Sequence, residues 1–168
     1  MNIILEEYTP SWASMFSDEK EKFLTLFNES AIIEHIGSTA VEGLIAKPVI
    51  DIMIGLENFA QANSTISLLQ NLDYIYVSEY EKTMPYRRFF TKEKMGKRTH
   101  QIHMVAFASE FWKRHLAFRD YLRTHEDVRN EYAALKKKLT LENWIDGNAY
   151  ADAKTEFIRR IEQIALSK

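Results

Sequence analysis

The chain has 168 residues, 46% of them hydrophobic and 27% charged, and this composition excludes disordered, collagen-like and low-complexity proteins. Its 22 basic and 24 acidic side chains give a net charge of −2, which excludes a general nucleic-acid coat. It contains no cysteine, which excludes disulfides, thiolate zinc sites and thiol catalysis and makes the cytoplasm the expected location. No apolar run reaches the 18 residues of a membrane span, so no membrane association is expected.

Helix and strand patterns alternate along the first two-thirds of the chain, and helical patterns follow to the end. Apolar spacing and capping residues predict helices at about 10–28, 57–72, 109–125 and 127–140, and after Gly147. β-Branched and aromatic runs predict strands at 31–37, 49–55, 74–77, 85–91 and 99–107, the last two joined as a hairpin. This order predicts one α/β (α+β) domain over residues 1–168, with a mixed sheet flanked by helices and a helical C-terminal third.

A glycine-serine turn follows the first predicted strand. Gly37, Ser38 and Thr39 lead into a predicted short helix, where free backbone N–H groups and two hydroxyls suit a phosphate group. An ordinary helix cap explains the same residues. The sequence leaves both interpretations open.

Asp51 is a lone carboxylate in a strand that is otherwise apolar on both faces. A buried carboxylate needs a metal ion, a cation or several hydrogen-bond donors, because an unpaired buried charge is very costly. A salt bridge to Lys47, Arg87 or Arg88 is the structural alternative to a functional role.

Two histidines lie on the predicted strand 99–107. Side chains alternate along a strand, so His100 and His103 point to opposite faces and cannot both bind one ion without a bulge. A lone histidine such as His103 is more often a hydrogen-bonded core residue than a ligand.

Positive charge is concentrated in residues 82–103, which carry seven basic side chains against Glu93 alone. This basic hairpin can steer an anionic ligand of nucleotide or RNA type, and Arg87 and Arg88, which lie within the strand, are better candidates than the solvated tip. Near the end of the chain, Tyr150 and Lys154 have helical i, i+4 spacing and can hold an anion together. Amphipathic packing explains the neighbouring aromatic residues.

Four segments resemble the GrpB family of bacterial proteins, which has a nucleotidyltransferase-like fold. They are Glu34-His-Ile-Gly-Ser-Thr through Lys47-Pro-Val-Ile-Asp-Ile, His100-Gln-Ile-His, Phe118-Arg-Asp-Tyr-Leu-Arg and Tyr150-Ala-Asp-Ala-Lys-Thr-Glu-Phe-Ile. The resemblance implies a superfamily pattern in which a glycine-serine turn holds nucleotide phosphates and paired strand acids hold divalent metals. Gly37-Ser38 and Asp51 match this pattern. Met53 stands where the second acid is expected, and the strand at 99–107 offers histidine instead of the third.

The resemblance thus implies a protein that binds a nucleotide or other phosphorylated small molecule between the turn and the basic hairpin, and transfers a nucleotidyl group to an unknown acceptor. Ser38, Asp51 and His103 are the candidate catalytic residues, and Asp51 and His103 the candidate ligands of one divalent ion, with Mn²⁺ or Zn²⁺ suiting them better than Mg²⁺. The candidate substrate-binding residues are His35, Gly37, Thr39, Lys47, Arg88, His100, Tyr150 and Lys154.

Met53 favours a second hypothesis, a catalytically inactive module that binds a nucleotide or coenzyme or docks on a partner. An RNA-binding accessory protein is a third, against which the lack of a sustained basic face argues. The sequence leaves the oligomeric state open.

Overall fold

The computed structural model describes residues 1–28 and 30–167, and in this part of the chain a five-stranded mixed sheet carries helices on both faces. The strands are β1 (Ala31–Ile36), β2 (Ile50–Leu56), β3 (Ile75–Tyr76), β4 (Arg87–Lys94) and β5 (Lys97–Ala106). The helices are α1 (Ser11–Phe27), α2 (Ala62–Gln70), α3 (Glu110–Thr124), α4 (Glu126–Leu139), α5 (Gly147–Asp152) and α6 (Thr155–Leu166). The predicted fold class and the helical C-terminal third are confirmed.

The register of the central strands decides which side chains share a face of the sheet. The strand order is β1-β2-β5-β4-β3, with β2 and β5 parallel and the other neighbours antiparallel. Asp51 lies opposite Gln101 of β5 and Ile36 of β1, and Met53 lies opposite His103. Because paired residues share a face and side chains alternate along a strand, all five of these side chains project to the same side.

The other face of the sheet packs on α1 and α2. Ile52 and Ile54 of β2 meet Phe23 of α1 and Leu69 of α2, and all four side chains are fully buried. Burying a side chain of this size stabilises a fold by about 1.5–3 kcal/mol. This cluster is therefore the main hydrophobic core under α1 and α2.

Helix α3 covers the face that carries Asp51. Its residues Phe111 and Trp112 pack on Met53 and Val105. A Cβ on Gly55 would lie 2.5 Å from the Trp112 ring, so the absence of a side chain at Gly55 lets the indole rest on the β2 backbone.

The C-terminal helices form a separate cluster beside this layer. It joins α3, α4 and α6 to the segment that follows the glycine-serine turn, through Val41, Leu44, Phe118, Leu122, Tyr132, Phe157 and Ile161. The helical third is thereby packed against the loop between β1 and β2, which brings its side chains towards Asp51.

Two predicted boundaries differ from the structure. The charged connection 92–97 is mostly part of the strands, because Met95 and Gly96 both have positive φ, 54° and 77°, and make a two-residue hairpin turn. The last predicted helix is broken: α5 is capped by the Asp146 carboxylate, which accepts from the Ala149 amide at 2.9 Å, and the chain turns before α6. No helix within residues 1–28 and 30–167 has the length and apolarity needed to cross a membrane.

Candidate anion-binding site

The glycine-serine turn lies directly against Asp51. Gly37 has φ of +76°, and a Cβ placed on it would be 2.8 Å from the Asp51 Oδ2 atom. A side chain here would meet both backbone strain and a clash, so glycine is what allows the turn to approach the carboxylate. The following helix predicted from the sequence is only a three-residue 3₁₀ turn, Ser38–Ala40. It is too short to supply a helix dipole, and positive charge at this site comes from elsewhere.

Asp51 is held by a short chain of hydrogen bonds. Its Oδ1 atom lies 3.3 Å from His103 Nε2, and His103 Nδ1 lies 3.1 Å from the Arg87 guanidinium. Arginine can only donate, so Nδ1 is the acceptor and the Nε2 proton points at Asp51. Among the described residues, Asp51 is paired with the neutral His103 ring by a hydrogen bond, and the predicted alternative of a salt bridge to Lys47, Arg87 or Arg88 is not formed.

A small cleft opens beside the turn and Asp51, with a volume of about 60 Å³. We call it the lysine cleft; it is lined by Ser38, Thr39, Lys47, Val49, Asp51, Gln101, Lys136, Tyr150 and Lys154. Three ammonium groups thus face one carboxylate across a space of molecular dimensions. The cleft carries an excess of positive charge.

Burial and mutual repulsion act on the three ammonium groups. Burial, with the neighbouring Lys47 charge, lowers the pKa of Lys154 to about 8, although Asp51 opposes the shift. Burial also lowers the pKa of Lys47, and burial together with the charges of Lys154 and Lys47 lowers the pKa of Lys136 well below its usual value. The single carboxylate does not offset three partly desolvated cations.

Lys136 is a member of this cleft that the sequence did not indicate. Its side chain is 2% exposed, and its Nζ donates to the Ile45 carbonyl at 2.7 Å. The ammonium lies 5.0 Å from the Tyr132 ring centre, four residues earlier in α4, as Lys154 lies 4.5 Å from the ring of Tyr150, also four residues earlier. This repeated tyrosine-lysine spacing is a signal that could have found it.

Tyr150 lines the cleft, and its hydroxyl is buried. The side chain is 0% exposed, and its ring lies between the ammonium groups of Lys47, at 5.4 Å, and Lys154. Its hydroxyl has no hydrogen-bond partner among residues 1–28 and 30–167. Buried hydroxyls are normally paired. Burial raises the pKa of Tyr150, so at neutral pH the group is a donor without an acceptor.

His35 and Thr39 support the turn from the opposite side. The His35 ring stacks on Phe16 with centres 4.7 Å apart, and its Nε2 lies 2.9 Å from the Thr39 hydroxyl. Burial lowers the pKa of His35 to about 4, so the ring is neutral at pH 7. Thr39 also reaches the Val49 carbonyl, at 3.4 Å. Both residues hold the turn in place, and of the two only Thr39 also lines the lysine cleft.

Two candidate substrate-binding residues lie on the wrong face of the sheet for this cleft. Arg88 pairs with Glu81 at 3.0 Å beside α2, and His100 lies near Glu19 of α1. The register puts Arg87 rather than Arg88 on the Asp51 side. The cations that the cleft gathers therefore come from the helical third and Lys47, and not from the basic hairpin as expected.

The residues around Asp51 do not fit the pair of divalent ions that the superfamily pattern implies. Met53, at the position of the second acid, is fully buried against Phe111 and Trp112. Within the described ranges no group of three or more His, Cys, Asp or Glu side chains is placed to hold a metal. Magnesium needs several oxygen ligands, whereas Asp51 has a protonated imidazole nitrogen and three lysines around it. This donor set suits an anion.

The sheet order, the turn after β1 and the aspartate at the start of β2 define a nucleotidyltransferase-like fold. A structure of Cid1, described in terms of its RNA terminal uridylyl transferase activity, superposes with a TM-score of 0.55 over 77% of this chain and 40% of that chain. The two sequences are 7% identical, so this likeness concerns the fold alone.

The chain belongs to the GrpB family, because the family model described as GrpB protein matches residues 2–164. The crystal structure of the conserved protein GrpB from Enterococcus faecalis superposes with a TM-score of 0.87 at 34% identity, over 98% of both chains. The UPF0157 protein YqkA of Bacillus subtilis is 36% identical over 159 residues, which are 94% of this chain and 46% of YqkA. The chain thus spans about half the length of that relative. The predicted family is confirmed.

Proposed function

We propose that the protein binds a nucleotide or other phosphorylated small molecule, with a phosphate group in the lysine cleft. The observation that carries the proposal is that Lys47, Lys136 and Lys154 line one cleft with Asp51 and with Tyr150, whose buried hydroxyl has no partner among the described residues. A phosphate dianion offsets the excess positive charge and accepts the hydrogen bond that Tyr150 has available. One ligand can therefore supply both the missing negative charge and the missing hydrogen-bond acceptor.

The size of the cleft supports a phosphate-sized group. Its volume of about 60 Å³ equals the share of roughly two water molecules in the liquid, at about 30 Å³ each. One phosphate group fits this space, and the rest of the ligand has to lie outside it. Asp51, at the edge of the cleft, repels additional anionic oxygens and accepts a hydrogen bond from a ligand hydroxyl.

The same residues favour a binding module over nucleotidyl transfer. Transfer in this superfamily depends on paired acids and divalent ions, and Met53 is buried in the hydrophobic layer under α3. The three lysines can bind a phosphate group in its ground state, but they do not replace the metal ions that transfer requires. We therefore expect binding without turnover.

Titration calorimetry with inorganic phosphate, pyrophosphate, AMP and ATP, each with and without Mg²⁺, tests the binding. The variant Lys154→Gln removes one cation, and Lys137→Gln, an exposed neighbour of Lys136 on α4, is the matched control. We expect Lys154→Gln to weaken pyrophosphate binding at least about tenfold, equivalent to roughly 1.4 kcal/mol, and Lys137→Gln to leave it within a factor of about two. Because Lys154→Gln relieves repulsion, the variant stays folded.

Two outcomes contradict the proposal. If none of the four ligands raises the melting temperature of the wild type at about 10 mM, no phosphate site exists, since a ligand of the native state must stabilise it. If both lysine variants lose affinity equally, the binding is non-specific. Radiolabelled nucleoside triphosphate with Mg²⁺ or Mn²⁺ separates the two functions, because release of pyrophosphate would restore the transfer hypothesis.

A further inference from the structure

A larger cavity lies on the other side of the Ser38–Ala40 turn. Its volume is about 340 Å³, within the range of sites that hold small organic ligands. We call it the His35 cavity; it is lined by Tyr8, Ala13, His35, Thr39, Ala40, Glu42 and Arg123. None of these residues except Thr39 lines the lysine cleft.

The two spaces share a wall one turn thick. Thr39 lines both of them, with Ser38 on the lysine side and Ala40 on the His35 side. The Cα atoms of Ser38 and Ala40 are two residues apart and so are separated by at most about 7 Å. The sugar of a nucleotide covers a distance of this order between its phosphate and its base. The sugar of a nucleotide is therefore long enough to span the width of the turn.

The lining of the His35 cavity suits a part of the ligand that carries no charge. Arg123 and Glu42 supply one cation and one anion, in contrast to the cation excess of the lysine cleft. The Arg123 guanidinium is fixed by its bond to the Ala40 carbonyl at 2.9 Å. Tyr8 and the neutral His35 add two rings with polar atoms at their edges. Rings combined with donors and acceptors match a nucleoside, which has a flat base and hydroxyl groups.

We propose that the His35 cavity holds the nucleoside part of a nucleotide whose phosphate occupies the lysine cleft. This inference rests on the proposed phosphate site and narrows the ligand from phosphorylated small molecules in general to nucleotides. The turn at 38–40 would then lie under the sugar.

The test compares ligands that share a phosphate and differ in the rest. We expect AMP, GMP, CMP or UMP to bind at least about tenfold more tightly than ribose 5-phosphate and inorganic phosphate, a difference of roughly 1.4 kcal/mol. Ala13→Leu fills the cavity from an exposed position on α1, and Ser14→Leu adds the same side chain one residue away, outside the lining. Ala13→Leu should reduce the preference for the nucleotide to less than twofold and leave pyrophosphate affinity unchanged. Ser14→Leu should change neither affinity.

Imidazole nitrogen signals of His35 provide a readout that does not depend on affinity. Nucleotides should shift them, and pyrophosphate should not. If nucleotides and ribose 5-phosphate bind equally, or if Ala13→Leu leaves the preference intact, the inference is wrong while the phosphate site stands. If pyrophosphate and phosphate do not bind at all, both proposals fail together. Loss of the nucleotide preference alone therefore contradicts only the inference, and absence of phosphate binding contradicts both.

Discussion

Buried charges lie on both faces of the sheet, and the two groups differ in whether their partners are present. On the α1 face, Glu19 is 1% exposed, accepts hydrogen bonds from Tyr74 and Lys92, and forms an ion pair with Lys22. Burial alone would raise the pKa of Glu19, but the three partners outweigh it and lower the pKa to about 2. On the α3 face, the lysine cleft has three cations with lowered pKa values around Asp51.

This difference distinguishes a structural cluster from the proposed binding site. The Glu19 cluster finds its counter-ions within the chain and links α1 to β4, to β5 and to Tyr74 just before β3. The lysine cleft is electrostatically incomplete and costs the unliganded protein stability, which a ligand would return. Buried charges whose counter-ions lie within the chain indicate architecture. Buried cations in excess of their counter-ions, beside a buried hydroxyl that has no partner among residues 1–28 and 30–167, favour the proposed ligand.

The largest expected effect comes from breaking the closed cluster. Glu19→Gln leaves the half-buried Lys92 without its counter-ion, and removal of one member of a buried ion pair typically costs about 3 kcal/mol. Urea unfolding should show this loss in the free energy of unfolding. Glu21→Gln, exposed on the same helix, should change it by less than about 0.5 kcal/mol. If Lys154→Gln lowered the free energy of unfolding by a similar amount, the lysine cleft would be a structural cluster like that of Glu19, and the proposed difference between the two faces would be wrong.

Two buried tyrosines, one on each face, should respond differently to loss of the hydroxyl group, and both changes in the free energy of unfolding should be smaller than that of Glu19→Gln. Tyr74→Phe removes a donor that lies 2.9 Å from the Glu19 carboxylate, and a hydrogen bond to a charged group is worth about 1.5–3 kcal/mol. Tyr150→Phe removes a buried hydroxyl that has no partner in the described ranges, so the unliganded protein should be as stable or slightly more stable.

The stabilisation that pyrophosphate produces should be affected by the Tyr150 substitution and not by the Tyr74 substitution. Thermal unfolding with and without pyrophosphate should show that Tyr150→Phe loses part of the ligand-induced stabilisation, whereas Tyr74→Phe keeps all of it. Equal destabilisation by both substitutions without ligand would mean that the Tyr150 hydroxyl already has a partner, and the comparison between the two faces would not hold.

The sequence predicted the parts of the site that depend on local order and missed those that depend on register. Gly37-Ser38 and Asp51, about a dozen residues apart, match the superfamily pattern that the sequence resembles, so their proximity was expected from that pattern. The sequence offered Arg87 and Arg88 alike, and Arg88 was the predicted substrate-binding residue. Arg87 is the one on the Asp51 side, because the pairing of β4 with β5, which has an irregularity between Lys92 and Glu93, fixes which arginine lies there.

Lys136 was missed for a related reason. It stands in a run of three lysines, and only the packing of α4 on the loop before β2 selects which one turns inward. The cleft could be recognised only once the positions of α4 and of the α5 region relative to the loop before β2 were known. The fold class needed no such information, because alternating helix and strand patterns determine it.

The smallest expected effect is an alkaline gain in stability that the ligand abolishes. The pKa of Lys154 is about 8 in the folded protein against 10.5 for an unperturbed lysine, so between these values the unfolded chain binds more protons and stability rises with pH. One proton limits the slope to about 1.4 kcal/mol per pH unit. Lys47 and Lys136, whose pKa values are lowered too, act in the same direction.

Urea unfolding at pH 8 and pH 9 should show the gain in stability in the wild type and a smaller gain in Lys154→Gln. Saturating pyrophosphate, which holds the lysines protonated, should flatten the wild-type slope, and a slope that persists with pyrophosphate bound would place the anion outside the lysine cleft.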